Sequence, residues 1–254
     1  ITPERREEGG AVEAPLSFSL FFLFIIALLM LFATGMPVAV AMGIIGIVGS
    51  FLFVSPYAVS QLSTLAFSQS ASFVFTVIPM FVLMGEVLSH SKVGQDLFEA
   101  AQKWVGRLPG GLAISTIFAC GGFAAISGSS AINAATIGVV AVPEMEKQGY
   151  NRRLALGVTA AGGTLGILIP PSVILILYGI ITETSIGALF IAGILPGIML
   201  ILLLSLTVVA LVLKNPSIAP PYEKFTWKEK WLSLKKVIPV LILALLVLGS
   251  IYTG

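Results

Sequence analysis

Two clusters of residues could do chemistry within an otherwise apolar chain. The first is Ala125-Ile126-Ser127-Gly128-Ser129-Ser130-Ala131-Ile132-Asn133. Hydroxyls and an amide are costly in a dry interior unless they bond something. Gly128 lets the backbone turn, and Ser129 or Ser130 can cap a returning helix. The start of that helix would offer free N–H groups and the positive end of a dipole, which suits an anion. The second cluster is Gly162-Gly163-Thr164-Leu165-Gly166-Ile167-Leu168-Ile169-Pro170-Pro171-Ser172. Neither proline can donate to the carbonyl four residues back, so the carbonyls of Gly166 and Ile167 are released, and Ile169 is pushed toward an extended conformation. Released carbonyls and serine hydroxyls are hard oxygen ligands of the kind that hold Na⁺. Kinks and small-residue packing are common in membrane helices. A hairpin followed directly by a broken helix is instead the usual build of a midplane ion-and-substrate site.

The elements that must position these clusters are membrane helices. The 254 residues are 57% hydrophobic and 10% charged, with mean hydropathy +1.04, against about 25% charged residues in a soluble domain. Several apolar runs reach the ~20 residues needed to cross a bilayer, and a span must be helical to satisfy its own backbone. The alternating segments of a membrane β-barrel are absent. Cys120 is the only cysteine and His90 the only histidine, which excludes an intrachain disulfide, a haem-attachment motif and a Cys/His metal cluster. No nucleic-acid partner is expected.

Along the chain, residues 1–14 read as a leader or linker. Leu16–Phe32 is the first span, followed by a turn at Gly35-Met36-Pro37 with Pro37 at the first helical position. Val38–Val54 is the second span, Tyr57–Ser72 a surface loop with a short helical turn, and Phe73–Ser89 the third span. Gln95–Leu108 carries apolar residues at helical spacing opposite Asp96, Glu99, Lys103 and Arg107, which predicts an amphipathic helix in the interface plane. Residues 111–147 form a re-entrant hairpin and 153–183 a broken helix. Ala188–Leu213 is a fifth span, Lys214–Lys236 a basic loop, and Val237–Tyr252 a sixth span. If the hairpin enters and leaves on one side, segments 91–110, 147–153 and 214–236 share a face and hold twelve of the fourteen Lys and Arg residues. The positive-inside rule makes that face cytoplasmic and the N-terminus periplasmic. Glu86 and His90 read as a local helical pair, Glu183 as a solvated loop carboxylate, and Trp104 as an interfacial anchor.

At its two clusters the sequence resembles the large membrane (M, or DctM-like) subunit of TRAP transporters, the tripartite ATP-independent periplasmic class. The resemblance rests on Ile126–Gly138 (ISGSSAINAATIG) and on Gly149–Gly197, and extends over nearly the whole chain from Leu16. It implies an all-α polytopic membrane protein with six transmembrane helices, one re-entrant hairpin and a proline-broken helix, forming one half of an inverted-repeat elevator transporter in a bacterial inner membrane. The function implied is Na⁺-coupled uptake of a small organic acid, a dicarboxylate or sialic acid among the candidates, with no enzymatic step. By analogy, Na⁺ would be held by Ser127 and Ser129 with backbone carbonyls at Gly166, Ile169 and Pro171. Substrate would lie against Ser130, Asn133 and Ser172. Residues 111–184 would belong to a moving transport domain, with 15–110 and 185–254 as scaffold. The implied partners are a small membrane subunit, a periplasmic substrate-binding protein and membrane lipid. Such subunits comprise two inverted repeats, so a complete one is expected to be about twice as long. Related carboxylate carriers of the same superfamily share the hairpin and broken helix. An intramembrane serine hydrolase would need a base near Ser127, Ser129 or Ser130, and a non-transporting scaffold subunit would need neither cluster.

Overall fold

Among the described residues every regular element is helical, which is how an apolar chain satisfies its backbone where water is scarce. The computed structural model describes residues 14–54, 56–71, 73–220 and 225–253; the expected leader, apart from its last residue, lies outside them. The chain divides into two compact units, Ile1–Ser72 and Phe73–Gly254.

In the first unit, α1 (Ala14–Ala33) turns at Gly35, whose φ of 79° suits a residue without a Cβ. It is followed by α2 (Val38–Gly49), which runs into a π-helical turn at Ser50–Val54. Pro37 is not the first helical residue: it caps α2 with φ −57° and ψ 139°, and its carbonyl accepts from Ala41 N. A Cβ on Gly49 would lie 2.9 Å from the Phe24 ring, so the two helices approach closely there. The expected surface loop is instead α3 (Pro56–Ser70). Its serines do not oppose a helix, because Ser60 and Ser63 return their hydroxyls to carbonyls three residues back.

The second unit begins with a 3₁₀ turn (Phe73–Thr76) and α4 (Val77–Ser89), then α5 (Val93–Val105). The hairpin follows as α6 (Gly111–Ser127) and α7 (Ser130–Lys147). The next stretch is divided twice, into α8 (Arg152–Gly163), the single turn α9 (Leu165–Leu168) and α10 (Val173–Ile181). The proline break was expected; the one at Thr164 was not. Two long helices close the unit, α11 (Ile186–Lys214) and α12 (Trp227–Thr253). The core is α6, where Ile114, Ile117, Cys120, Phe123 and Ala124 are all at most 1% exposed. A helix apolar on every side belongs inside. Its first turn is finished by Tyr150, whose hydroxyl accepts from Leu112 N at 3.2 Å.

Two helices, α11 and α12, are long and apolar enough to cross a membrane, and α8–α10 passes as one bent span. Leu20–Ala33, Val38–Phe53, Val77–Ser89 and Gly111–Ser127 are shorter apolar helices. The last two expected spans are thus long enough to cross, the broken one is so only as a bent pair, and the first three coincide with shorter apolar helices. Leu195, Leu202, Leu206, Leu245 and Leu246 are more than half exposed, a surface suited to lipid rather than water.

The apolar face of α5 is covered by protein, with Leu97, Phe98 and Ala100 buried against the core. Its polar face meets α12. Lys236 donates to Glu99 Oε2 at 2.8 Å and lies 3.9 Å from Asp96. The Lys236 hydrogen bond holds the Glu99 carboxyl below its ordinary value, partly opposed by burial. Trp104 meets Trp231 edge to face at 6.3 Å, and Lys230, 7% exposed, sits 5.8 Å from the Trp104 ring and 5.1 Å from Trp227. Trp104 thus packs within a cluster. The basic loop is shorter than expected, since helix resumes at Trp227. The helix start is capped by Glu229, whose carboxylate accepts from Thr226 N and from Thr226 Oγ1 at 2.7 and 2.6 Å, the carboxylate half of a capping box.

Candidate functional site

The hairpin turns where glycine allows it. Gly128 has φ 62° and ends α6, and Ser129, extended at φ −132°, caps α7 by accepting from Ile132 N at 3.5 Å. Of the two serines that could cap, the chain uses Ser129. The broken helix repeats the device: Ile169 is extended, as the following proline dictates, and Ser172 caps α10 by accepting from Leu175 N at 3.4 Å.

These two breaks meet. Val173 N donates to the Gly128 carbonyl at 3.1 Å, a main-chain bond between motifs 45 residues apart. A Cβ on Gly128 would lie 2.8 Å from the Pro171 carbonyl oxygen. One on Gly166 would lie 2.7 Å from the carbonyl carbon and oxygen of Ser129 and 2.9 Å from Ser130 N. Neither position has room for a side chain. From outside, α11 presents Gly193 to the Leu168 carbonyl and Gly197 to Ile169, a small-xxx-small face fitted to the break. From α4, Gly85 approaches the Ser127 carbonyl.

The expected site residues distribute as follows. Ser127, Ser129, Ser130, Gly166, Pro171 and Ser172 gather at this joint. Ile169 sits at the break with its side chain turned to Gly121 and Gly197. Asn133 lies one turn deeper, fully buried, donating to Cys120 O at 3.0 Å and Gly163 O at 3.4 Å. The Ser127 hydroxyl is fully buried and has no hydrogen-bond partner among the described residues. An unspent buried hydroxyl costs about 1–3 kcal/mol, so its position invites a ligand. Hydroxyl and carbonyl oxygens are hard ligands, the kind that suit a small monovalent cation; the Pro171 carbonyl comes close to Gly128, next in the chain to Ser127. The C-terminal end of α6 meets the N-terminal ends of α7 and α10 here, so carbonyl and N–H ends of helix dipoles converge on one place.

Other polar groups resolve locally. His90 Nδ1 lies 3.0 Å from the Glu86 carbonyl oxygen and 3.7 Å from its carboxylate, so the pair is a helical neighbour contact. Glu183 is exposed, with φ 54°. Sequence reasoning missed the α11 glycines, although Gly193 and Gly197 at i, i+4 were the signal. It also missed a cavity of about 370 Å³ between α4 and α7, lined by Glu86, Ser89, His90, Ala131 and Thr136 among others.

Comparison with known proteins fits this geometry. Residues 25–254 match the family described as the tripartite ATP-independent periplasmic transporter, DctM component. The C4-dicarboxylate TRAP transporter large permease protein DctM of Pseudomonas aeruginosa is 38% identical over 216 residues, 84% of this chain and 49% of that protein. Its namesake in Rhodobacter capsulatus is 33% identical over 242 residues, 89% of this chain and 54% of that protein. The isethionate TRAP transporter permease protein DctMQ of Oleidesulfovibrio alaskensis is 33% identical over 185 residues, 73% of this chain and 28% of that protein. The chain thus spans about half the length, or less, of these curated relatives. With hairpin, broken helix and match in agreement, the chain belongs to the DctM family of tripartite ATP-independent periplasmic transporters.

Proposed function

We propose that this chain forms part of a permease that carries a small organic acid anion across a bacterial inner membrane, coupled to Na⁺. A TRAP-type permease would work with a small membrane subunit and a periplasmic binding protein, and DctMQ in one relative's name is consistent with that partnership. The observation that carries the reading is the joint itself: two helix breaks fastened by the Gly128–Val173 bond, beside a Ser127 hydroxyl without a partner among the described residues.

The chain's residues divide the work by polarity. Ser127 Oγ, Ser129 Oγ and the carbonyls of Gly166, Ile169 and Pro171 would hold the cation, whose gradient supplies the driving force. The N-terminal ends of α7 and α10, with Ser130 and Ser172 beside them, would face the anion. Each charge thereby lowers the cost of bringing the other out of water, which is the physical basis of coupling. Residues 111–184 would move as the transport element against a scaffold, in an elevator stroke.

The test is uptake by proteoliposomes containing the complete permease and its two partner proteins under an imposed Na⁺ gradient. C4-dicarboxylates and isethionate are the first substrates to try. Na⁺-dependent uptake whose half-saturation moves to higher Na⁺ in Ser127→Ala and Ser129→Ala is the expected outcome. Uptake indifferent to Na⁺, or variants indistinguishable from the parent, would remove the coupling mechanism.

A further inference from the structure

Asn133 carries an amide into a place where no water reaches. Its amide nitrogen donates to carbonyls on two different helices, Cys120 O on α6 and Gly163 O on α8. The second bond exists because α8 stops. Gly163 is the last residue of α8, and Ile167, four residues on, donates to Thr164 O instead. The break therefore releases the Gly163 carbonyl, and Asn133 takes it up.

The surrounding packing is built for this contact. A Cβ on Gly162 would lie 3.0 Å from Cys120 Sγ, against α6; one on Gly163 would lie 2.5 Å from Ala134 Cβ and 3.2 Å from Ser130 O, against α7. Two adjacent glycines thus let α8 seat on both hairpin arms at once, with Asn133 between them. Two acceptor carbonyls at one end of the amide also fix its orientation. Its oxygen is left facing away, buried and without a partner among the described residues. Three residues along α8–α9 from Gly163, Gly166 rests on the Ser129–Ser130 main chain. The distance from the hairpin tip to the carbonyls beyond the break is therefore set at Gly163 before it is used at Gly166.

We propose that Asn133 is the positioning residue of the joint: its side-chain amide pins the broken end of α8 to both arms of the hairpin and so fixes the spacing of the cation site, without itself being a substrate contact. The proposal rests on the cation reading of that site given above.

The experiment compares the parent with Asn133→Ala and Gly163→Ala in the complete, reconstituted transporter. The second variant loosens the same joint from the opposite side, through the added methyl against Ala134. Ser115→Ala is the control, a buried polar-to-apolar change whose hydroxyl donates to Gly111 O within its own helix. Na⁺ half-saturation, substrate KM at saturating Na⁺, and hydrogen exchange of residues 128–133 and 163–172 are measured. The expected result is a several-fold rise in Na⁺ half-saturation in both joint variants, with substrate KM at saturating Na⁺ near the parent. Faster exchange is expected in both segments together, and the double variant should be little worse than either single. The control should show none of this. A substrate KM that rises while Na⁺ half-saturation stays put would overturn the proposal, since Asn133 would then be a substrate contact. Faster exchange near residue 133 alone would also overturn it. If parent uptake ignores Na⁺, the proposed function fails, and the exchange data alone decide the pin: joint acceleration supports it and independent behaviour overturns it.

Discussion

The joint between hairpin and broken helix and the contact between α5 and α12 hold the second unit together by opposite means. Among the described residues the joint contains no charged side chain; it is made of main chain brought close by Gly128, Gly163 and Gly166, with buried acceptors at Ser127 and Asn133 left unspent. The α5–α12 contact is made of long side chains whose groups are engaged: Lys236 with Glu99 and Asp96, Lys230 between two indoles, Arg107 on the Phe225 carbonyl. Close-packed backbone cannot yield to an added atom, whereas a flexible side chain can swing aside. The proposed cation site keeps free oxygens, whereas the fastening of α5 to α12 spends the groups it brings together.

Gly166→Val should break the first region most severely, because its new Cβ would meet backbone on both sides. Overpacking of this kind costs about 1–3 kcal/mol or more, and uptake should fall below detection while Lys236→Met leaves it near the parent. Ser127→Ala sharpens the contrast from the other direction. It removes a hydroxyl that makes no bond among the described residues, so thermal stability in Na⁺-free buffer should be unchanged or slightly raised, while the stabilisation produced by adding Na⁺ should shrink. A large loss of stability without Na⁺ would show that the hydroxyl is structural.

In the second region, Lys230→Met should cost about 0.5–2 kcal/mol by losing its place over the two indoles, read as a lower unfolding temperature with normal Na⁺ half-saturation. The smallest effect is that of pH. Glu99 has a folded pKa below its ordinary value because Lys236 bonds the ionised form. Its contribution is therefore complete above the unfolded value and is lost as pH falls through the lowered folded value. Unfolding temperature should drop over that acidic window in the parent and less in Glu99→Gln, with the difference narrowing at high salt.

The site was more legible than its surroundings, for a physical reason. Glycine, serine and asparagine inside an apolar run are costly there, and adjacent prolines remove donors at known positions, so both breaks stand out in the sequence. That the breaks touch does not stand out, since contact depends on how α8 seats on two arms. Asn133 reads as a substrate candidate through the family resemblance, and nothing in the sequence points to the bonds its amide makes between helices. The α3 region read as loop because it is polar, yet serines that bond their own helix do not prevent one. The start of α12 read as loop because it is basic, although Thr226-x-x-Glu229 is a helix-start pattern visible in the sequence.

The main-chain bond from Val173 to Gly128 has a consequence for how this segment tolerates change. A bond between peptide groups does not depend on which side chain Val173 carries, so substitution there can hardly retune it by degrees; only a positioning side chain such as Asn133 could. A systematic mutational scan across 125–173 should look bimodal: a few glycines that accept nothing, set among serines, threonines and aliphatics that accept several replacements. Drift in such a segment would alter the polar groups of the proposed cation site long before it altered the backbone shape around them.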